Sequence, residues 1–201
     1  MVLSHHFELE DAPGYLAHFP VLAGKAQIGQ GEFSVVFESN HPETVLKLTC
    51  DEATVDFLML GHPLRREGLV EVVKYHGEMP SSEHGRVFLI ELKRLIRVEA
   101  DTHRDLYYER ESVIAAIRHR IIQSDRFEGV VDAQQRYAGA IQELALSKLF
   151  SSSINKALVW IATFLRSSPL DLLHDLCNPE NYMTDGVRLI ITDPLICVPA
   201  D

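Results

Sequence analysis

From Ala23 to about Leu95 the apolar residues come in short alternating or continuous runs, AQIGQ, FSVVFES, TVLKLT, LVEVVKYHG and RVFLIEL. Turn-forming stretches such as NHPE and MPSSEHG divide them. A period of two sends successive side chains to opposite faces of a strand, and turns this close together join neighbouring strands as hairpins. The pattern predicts an antiparallel sheet of five strands. One segment breaks it: in DEATVDFLMLG, between the third and fourth runs, Asp51 and Glu52 suit a helix N-terminus, where a negative charge meets unpaired N–H groups, and Gly61 suits the helix end.

After Arg97 the period changes to that of a helix. Val113, Ile114, Ile117 and Ile121 recur at three- and four-residue intervals, as do Tyr137, Ile141, Leu144 and Ala145, then Ile154, Leu158, Ile161 and Leu165. Helices are predicted over 105–123, 131–150 and 154–166, with SDRFEGVVD as a link and the serines at 151–153 as a cap. Strand character returns in NYM and VRLIIT around the turn TDG. The fold class is therefore α+β, with a sheet-rich part over 1–95 and a mainly helical part over 96–201. No internal repeat or low-complexity run interrupts either part.

Composition narrows this only a little. With 201 residues, 46% of them hydrophobic and 24% charged, the chain can bury a real core as a soluble globular protein. A formal net charge of -10 argues against a nonspecific grip on nucleic acid, which rests on Lys and Arg neutralising phosphates. Cys50, Cys177 and Cys197 are far apart and lack CxxC spacing, so they suggest neither a disulfide framework nor a zinc site, and a reducing cytoplasm fits. The N-terminus lacks a basic start followed by an apolar stretch, and no run approaches ~18 uninterrupted apolar residues, so neither secretion nor membrane insertion is expected. His5 and His6 have no partner ligands in the sequence around them and are read as a terminal pair.

The candidate chemistry starts at Ile28 to Val36, IGQGEFSVV, which places two glycines, an aromatic residue and valines on two strands joined by a tight turn. A hairpin that closes over a triphosphate needs this composition. Gly29 and Gly31 carry no Cβ to crowd phosphates approaching the backbone, Phe33 can close the tip, and Val35 or Val36 can cover a flat apolar ring. Lys47 lies sixteen residues after Gly31, a single charge among the apolar neighbours of VLKL, suited to meeting phosphates beneath the hairpin.

These residues resemble the N-lobe of the protein-kinase-like superfamily, whose hairpin reads G-x-G-x-F-G-x-V and whose third strand reads V-A-I-K. Gly29, Gly31, Phe33, Val36 and Lys47 match, and Ser34 takes the place of the third glycine. The resemblance implies ATP as cosubstrate, with Ile28 included in the nucleotide-binding hairpin. It implies an acid on the following helix to hold the lysine, and Glu52 and Asp56 share a helix face. It also implies a hinge after the fifth strand whose backbone pairs with adenine, here Glu91 to Lys93, with Leu89 or Ile90 near the ring.

The C-terminal segment HDLCNPENYMTDGVRLIITDPL places an acid and an amide in a loop, then a short hairpin, then an acid after LIIT. Phosphoryl transfer calls for hard oxygen ligands to magnesium, and a hairpin can bring Asn181 and Asp193 together to supply them. HDLCNPEN is similar to the catalytic-loop motif H-R-D-L-K-P-E-N, and Asp193 takes the place of the acid in D-F-G. N-x-M followed by I-T-D-P is closer to short bacteriophage kinase-like proteins that modify host proteins on Ser or Thr. Aligned without a gap, the place of the catalytic aspartate falls on Leu176; Asp175 can serve as the base if a bulge at CNP absorbs the extra residue, and Asp171 is a weaker substitute.

Only eight residues follow Asp193, which leaves no activation segment and implies a reduced C-lobe. The resulting expectation is a reduced kinase-like phosphotransferase using ATP and Mg2+, acting on a protein in the cytoplasm, that of the host if it is phage-encoded. Its alternatives are a pseudokinase-like binding module and a small-molecule kinase of the aminoglycoside or choline type.

Overall fold

The computed structural model describes residues 12–60, 67–81, 85–122 and 130–197. His5, His6, Gly61 and most of the SDRFEGVVD link lie outside them. The chain divides into two compact units, one of Met1–Val55 with Glu71–Arg94, the other of Asp56–Val70 with Leu95–Asp201.

The first unit is built on five antiparallel strands, β1 (Gln27–Gln30), β2 (Ser34–Glu38), β3 (Thr44–Thr49), β4 (Val72–Ser81) and β5 (Gly85–Lys93), in the order β1-β2-β3-β5-β4. The number of strands and the helix between the third and fourth are those the hydrophobic pattern predicts. A helix outside the predicted elements, α1 (Ala12–His18), followed by a 3-10 turn at Pro20–Leu22, covers one face of the sheet. Tyr15, Phe19 and Leu22 pack there with Val35, Phe37, Leu46, Leu48, Val87 and Leu89. Their spacing of four and three residues was the available signal.

Helix α2 (Glu52–Met59) begins where Asp51 Oδ1 accepts from Thr54 N–H at 3.2 Å, so Asp51 is its cap as its position predicts. The division between the units falls inside this helix, after Val55.

The second unit holds α3 (Arg104–Ile122), α4 (Val130–Ser147) and α5 (Ser152–Ser167). Ser151 caps α5 by accepting from Ile154 N–H. α4 stops at Ser147, short of the predicted 150, because Lys148 adopts a left-handed conformation (φ 56) that ends the helix without a glycine. Short strands flank the helices: β6 (Ile96–Arg97), before α3, forms one sheet with β8 (Tyr182–Thr184) and β9 (Leu189–Ile191), and β7 (Leu172–His174) pairs with β10 (Leu195–Cys197). Gln134 on α4 ties this region to the helices, its Nε2 donating to Leu165 O at 2.6 Å and its Oε1 accepting from Leu172 N–H at 3.1 Å. Among the described residues, no helix is long and apolar enough to cross a membrane.

Candidate functional site

In the first unit, strand register organises the hairpin and the lysine. Gly29 pairs with Val36, Val36 with Lys47, and Lys47 with Ile90, so the four form a single row across β1, β2, β3 and β5. Side chains in one row share a sheet face. Val36 and Ile90 therefore flank Lys47, while Val35 and Leu89 turn to the opposite face and join the α1 core. Of each pair that the sequence left open, one member thus shares the face of Lys47 and the other lies in the core. Lys47 is only 8% exposed, a buried ammonium with apolar neighbours in its own row.

The turn itself differs from the expected cradle. Gly31 N–H donates to Ser34 O at 2.8 Å and so closes the hairpin rather than facing a ligand. Phe33 O accepts from Cys50 N–H at 3.1 Å and from Thr49 Oγ1 at 2.9 Å, which anchors the tip to the end of β3. The Phe33 ring is exposed, as is Ile28, and Ser34 is buried in the place of the third glycine. A Cβ on Gly31 would meet Ser34 Oγ at 3.3 Å, whereas one on Gly29 would make ordinary contact with Val36 at 3.6 Å. The turn geometry thus constrains Gly31 more than Gly29.

Two expected roles in this unit are corrected. Glu52 does not offer a free carboxylate to Lys47: it contacts Arg86 of β5, which also reaches Glu78 at 3.3 Å. Asp56, the other acid of that helix face, is exposed on α2 and falls in the second unit, and it keeps its place as the candidate lysine partner. Nor are Glu91 to Lys93 a free hinge. They are strand residues of β5 between β3 and β4, and Lys93 N–H donates to Glu71 O at 2.9 Å. The Glu91 carboxylate lies on the face opposite Lys47 and accepts from Ser39 Oγ at 2.8 Å and Thr44 Oγ1 at 2.6 Å, with His76 Nε2 at 3.3 Å. Burial would raise its pKa, but these hydrogen bonds outweigh that and hold it below the usual carboxylate value.

In the second unit, Asp175, Asn181 and Asp193 are brought together by backbone pairing. Tyr182 faces Ile191 in the β8–β9 hairpin, and Thr192 N–H donates to Asn181 O at 2.9 Å, which extends the ladder by one step. Asn181 and Asp193 therefore sit at the open end of one hairpin. On the other side of Asp193, Pro194 O accepts from Asp175 N–H at 2.8 Å, next to the pairing of His174 with Leu195. Both neighbours of Asp193 are thus locked to the loop bearing the other two residues.

The loop absorbs its additional residue in the manner the turn formers suggest. Leu176 is fully buried, so the residue at the ungapped base position belongs to the core. Asp175 instead turns toward the amides: Asn181 Nδ2 donates to its Oδ2 at 2.7 Å and to its backbone O at 3.0 Å, and Asn178 Nδ2 donates to Oδ2 at 3.1 Å. Asp171 is exposed just before β7. The support of the loop is tertiary and was not legible in sequence. Tyr182 Oη donates to Leu176 O at 2.8 Å, Arg118 of α3 donates to Cys177 O at 3.1 Å, and His174 Nδ1 accepts from Leu176 N–H at 3.3 Å. The His174 ring packs edge-on against Tyr137 at 4.9 Å, and burial pushes its pKa down to about 4.

The donor set suits magnesium. Because Asn181 Nδ2 faces two oxygens of Asp175, the amide orientation is fixed and Oδ1 is its remaining hard ligand atom. Asn181 Oδ1 and the Asp193 carboxylate are oxygen donors of the kind magnesium takes alongside substrate phosphates. Among the described residues there is no group of three or more His, Cys, Asp or Glu that could hold a metal without such help.

No protein-family model matches the sequence, and no curated protein matches it. Among solved structures, the chain is similar to the streptomycin–ATP–APH(2")-IIa ternary complex at 13% identity and a TM-score of 0.39, over 96% of this chain and 71% of that one.

Proposed function

We propose that this chain transfers the terminal phosphoryl group of ATP to a hydroxyl, with magnesium as cofactor. The observation that carries the reading is the Asn181–Asp175 contact at the open end of the hairpin that also bears Asp193. It joins an acid able to accept a proton to an amide whose oxygen is left to take a metal. Lys47, buried in the row of Gly29 and Val36, supplies the cation for the phosphates, and Val36 and Ile90 supply the apolar surface for the base.

In the proposed step the acceptor oxygen bonds to the γ-phosphorus as the bond to the bridging oxygen breaks. ADP leaves with that electron pair, and the hydroxyl proton passes to Asp175. Asn181 and Asp193 would hold magnesium, which would supply positive charge to the phosphates. Since the transition state is largely loose, holding the reactants in line contributes more than the strength of the base. A Ser or Thr side chain of a protein, in the host cytoplasm for a phage-encoded enzyme, is the proposed acceptor. The similarity of NYM and ITDP to short phage kinases supports that choice.

The test is incubation of the purified chain with γ-labelled ATP and magnesium, with and without bacterial lysate, beside Lys47→Ala and Asp193→Asn. Label transferred by the wild type and lost in both variants supports the proposal; transfer to lysate proteins rather than to added small alcohols or aminoglycosides supports the protein acceptor. Thermal stabilisation by Mg-ATP without transfer would leave a nucleotide-binding module, and neither effect would exclude a nucleotide role altogether.

A further inference from the structure

Asn178 is hydrogen-bonded at both ends of its side-chain amide. Nδ2 donates to Asp175 Oδ2 at 3.1 Å, and Oδ1 accepts from Glu180 N–H at 3.1 Å. The second bond makes Asn178 the N-cap of the 3-10 turn Pro179–Asn181, which delivers Asn181. Its backbone joins the same residues: Asn178 N–H donates to Asp175 O, and Asn181 N–H donates to Asn178 O, both at 3.2 Å. One residue therefore links the acid to the metal-ligand candidate by side chain and main chain alike.

The terminal torsion of an aspartate is broad, so a carboxylate with a single donor can swing. Asp175 Oδ2 receives two, from Asn178 and Asn181, on a residue whose own N–H is fixed to Pro194 O. Two donors from different residues define the carboxylate plane. They occupy one oxygen and leave Oδ1 as the acceptor for a substrate proton. An amide offers the cap acceptor and the donor on separate atoms: aspartate can cap the turn but has no donor, and serine has a single oxygen, on a side chain shorter by one atom, for both.

We infer that Asn178 is a positioning residue for phosphoryl transfer, orienting Asp175 so that Oδ1 faces the acceptor. The inference rests on the phosphotransferase reading above. It also accounts for the spacing of HDLCNPEN: the residue that lengthens the loop is accommodated by a turn whose cap holds the displaced acid.

The experiment compares wild type, Asn178→Ser, Asn178→Asp and Asn178→Ala for Mg-ATP turnover, thermal midpoint and the side-chain amide resonances of Asn181. In Asn178→Ser, kcat should fall roughly ten-fold with KM for Mg-ATP nearly unchanged, because the donor to a charged group is gone and nucleotide contacts are not. Its midpoint should stay within about 2 °C of wild type, since serine keeps the cap. Asn178→Asp, also a capping residue, should lose at least as much kcat through repulsion of Asp175. Asn178→Ala should lose kcat and stability together. Wild-type kcat in Asn178→Ser, or a midpoint loss in it as large as that of Asn178→Ala, would overturn the inference and leave a structural cap. If the wild type transfers and hydrolyses nothing, the phosphotransferase reading fails by itself. The Asn181 amide resonances then decide the orientation of Asp175: movement in Asn178→Ser supports it, and unchanged resonances overturn it.

Discussion

Asn181 Nδ2 donates to Asp175 Oδ2 at 2.7 Å, across a loop in which the two residues are six positions apart. The bond fixes which atoms of the pair face away from each other, the amide oxygen and the second carboxylate oxygen, to which the proposed function gives a metal and a proton. Asp175→Asn tests this pairing with almost no change of shape. Turnover should drop by about 10²-fold or more, the usual scale for removing a general base. Loss of charge-assisted hydrogen bonds should cost about 1 to 3 kcal/mol in urea unfolding. Turnover within two-fold of wild type would remove Asp175 from the chemistry.

Lys47 shares its row with Gly29, Val36 and Ile90 and is buried there. Lys47→Met keeps most of the unbranched stem and deletes the cation. Transfer of label from ATP should fall by about 10²-fold or more, in line with loss of a fixed charge at a developing anion. Lys47→Arg should fail to restore it, because the planar guanidinium does not reproduce a compact ammonium in a buried slot. Rate measurements on both variants decide the point.

Asp193 lies between Thr192, bonded to Asn181, and Pro194, bonded to Asp175. Asp193→Asn should leave the fold intact while abolishing the difference in thermal midpoint between ATP with magnesium and ATP with EDTA. A wild-type shift at saturating Mg-ATP should amount to about 3 kcal/mol when the ligand is at a hundred times its Kd. Retention of the magnesium-dependent part in the variant would mean that Asp193 is not a ligand.

The Glu91 network provides a control on the opposite face of the sheet. Glu91→Gln removes the charge that accepts from Ser39, Thr44 and His76, and should destabilise the protein by about 1 to 3 kcal/mol. Affinity for Mg-ATP, measured by titration calorimetry below the unfolding transition, should not change. A marked loss of affinity would return Glu91 to the nucleotide site.

His174 gives the fold a pH dependence of defined sign. Burial lowers its pKa from 6.5 to about 4. As pH falls below 6.5 the unfolded chain takes up a proton that the folded chain resists, so the His174 contribution to stability declines down to about pH 4 and no further below it. The loss should approach about 3 kcal/mol. Protonation would also remove the Nδ1 acceptor for Leu176 N–H. Urea unfolding at several pH values should show the decline in wild type and a weaker one in His174→Asn, which keeps an acceptor and does not titrate.

Much of the architecture was legible from local pattern. Period-two runs gave five strands, period-3.6 runs gave three helices, and Asp51 and Ser151 marked helix starts, because each signal depends on residues adjacent in sequence. The residue types of the candidate chemistry, Gly29, Gly31, Lys47, Asp175, Asn181 and Asp193, were equally legible, since paired glycines, a single charge in an apolar strand and hard oxygen donors are recognisable. Their partners were not. Strand register placed Val36 and Ile90 beside Lys47 and sent Glu91 to the other face, Arg86 took Glu52, and the turn closed on the Gly31 N–H. In HDLCNPEN tertiary packing decided which side chain goes inward: the core takes the apolar Leu176, and the carboxylate of Asp175 turns to the amides that satisfy it. Sequence fixes which groups exist and which local periods they follow; long-range register and the requirement that buried polar groups find partners decide which of them meet.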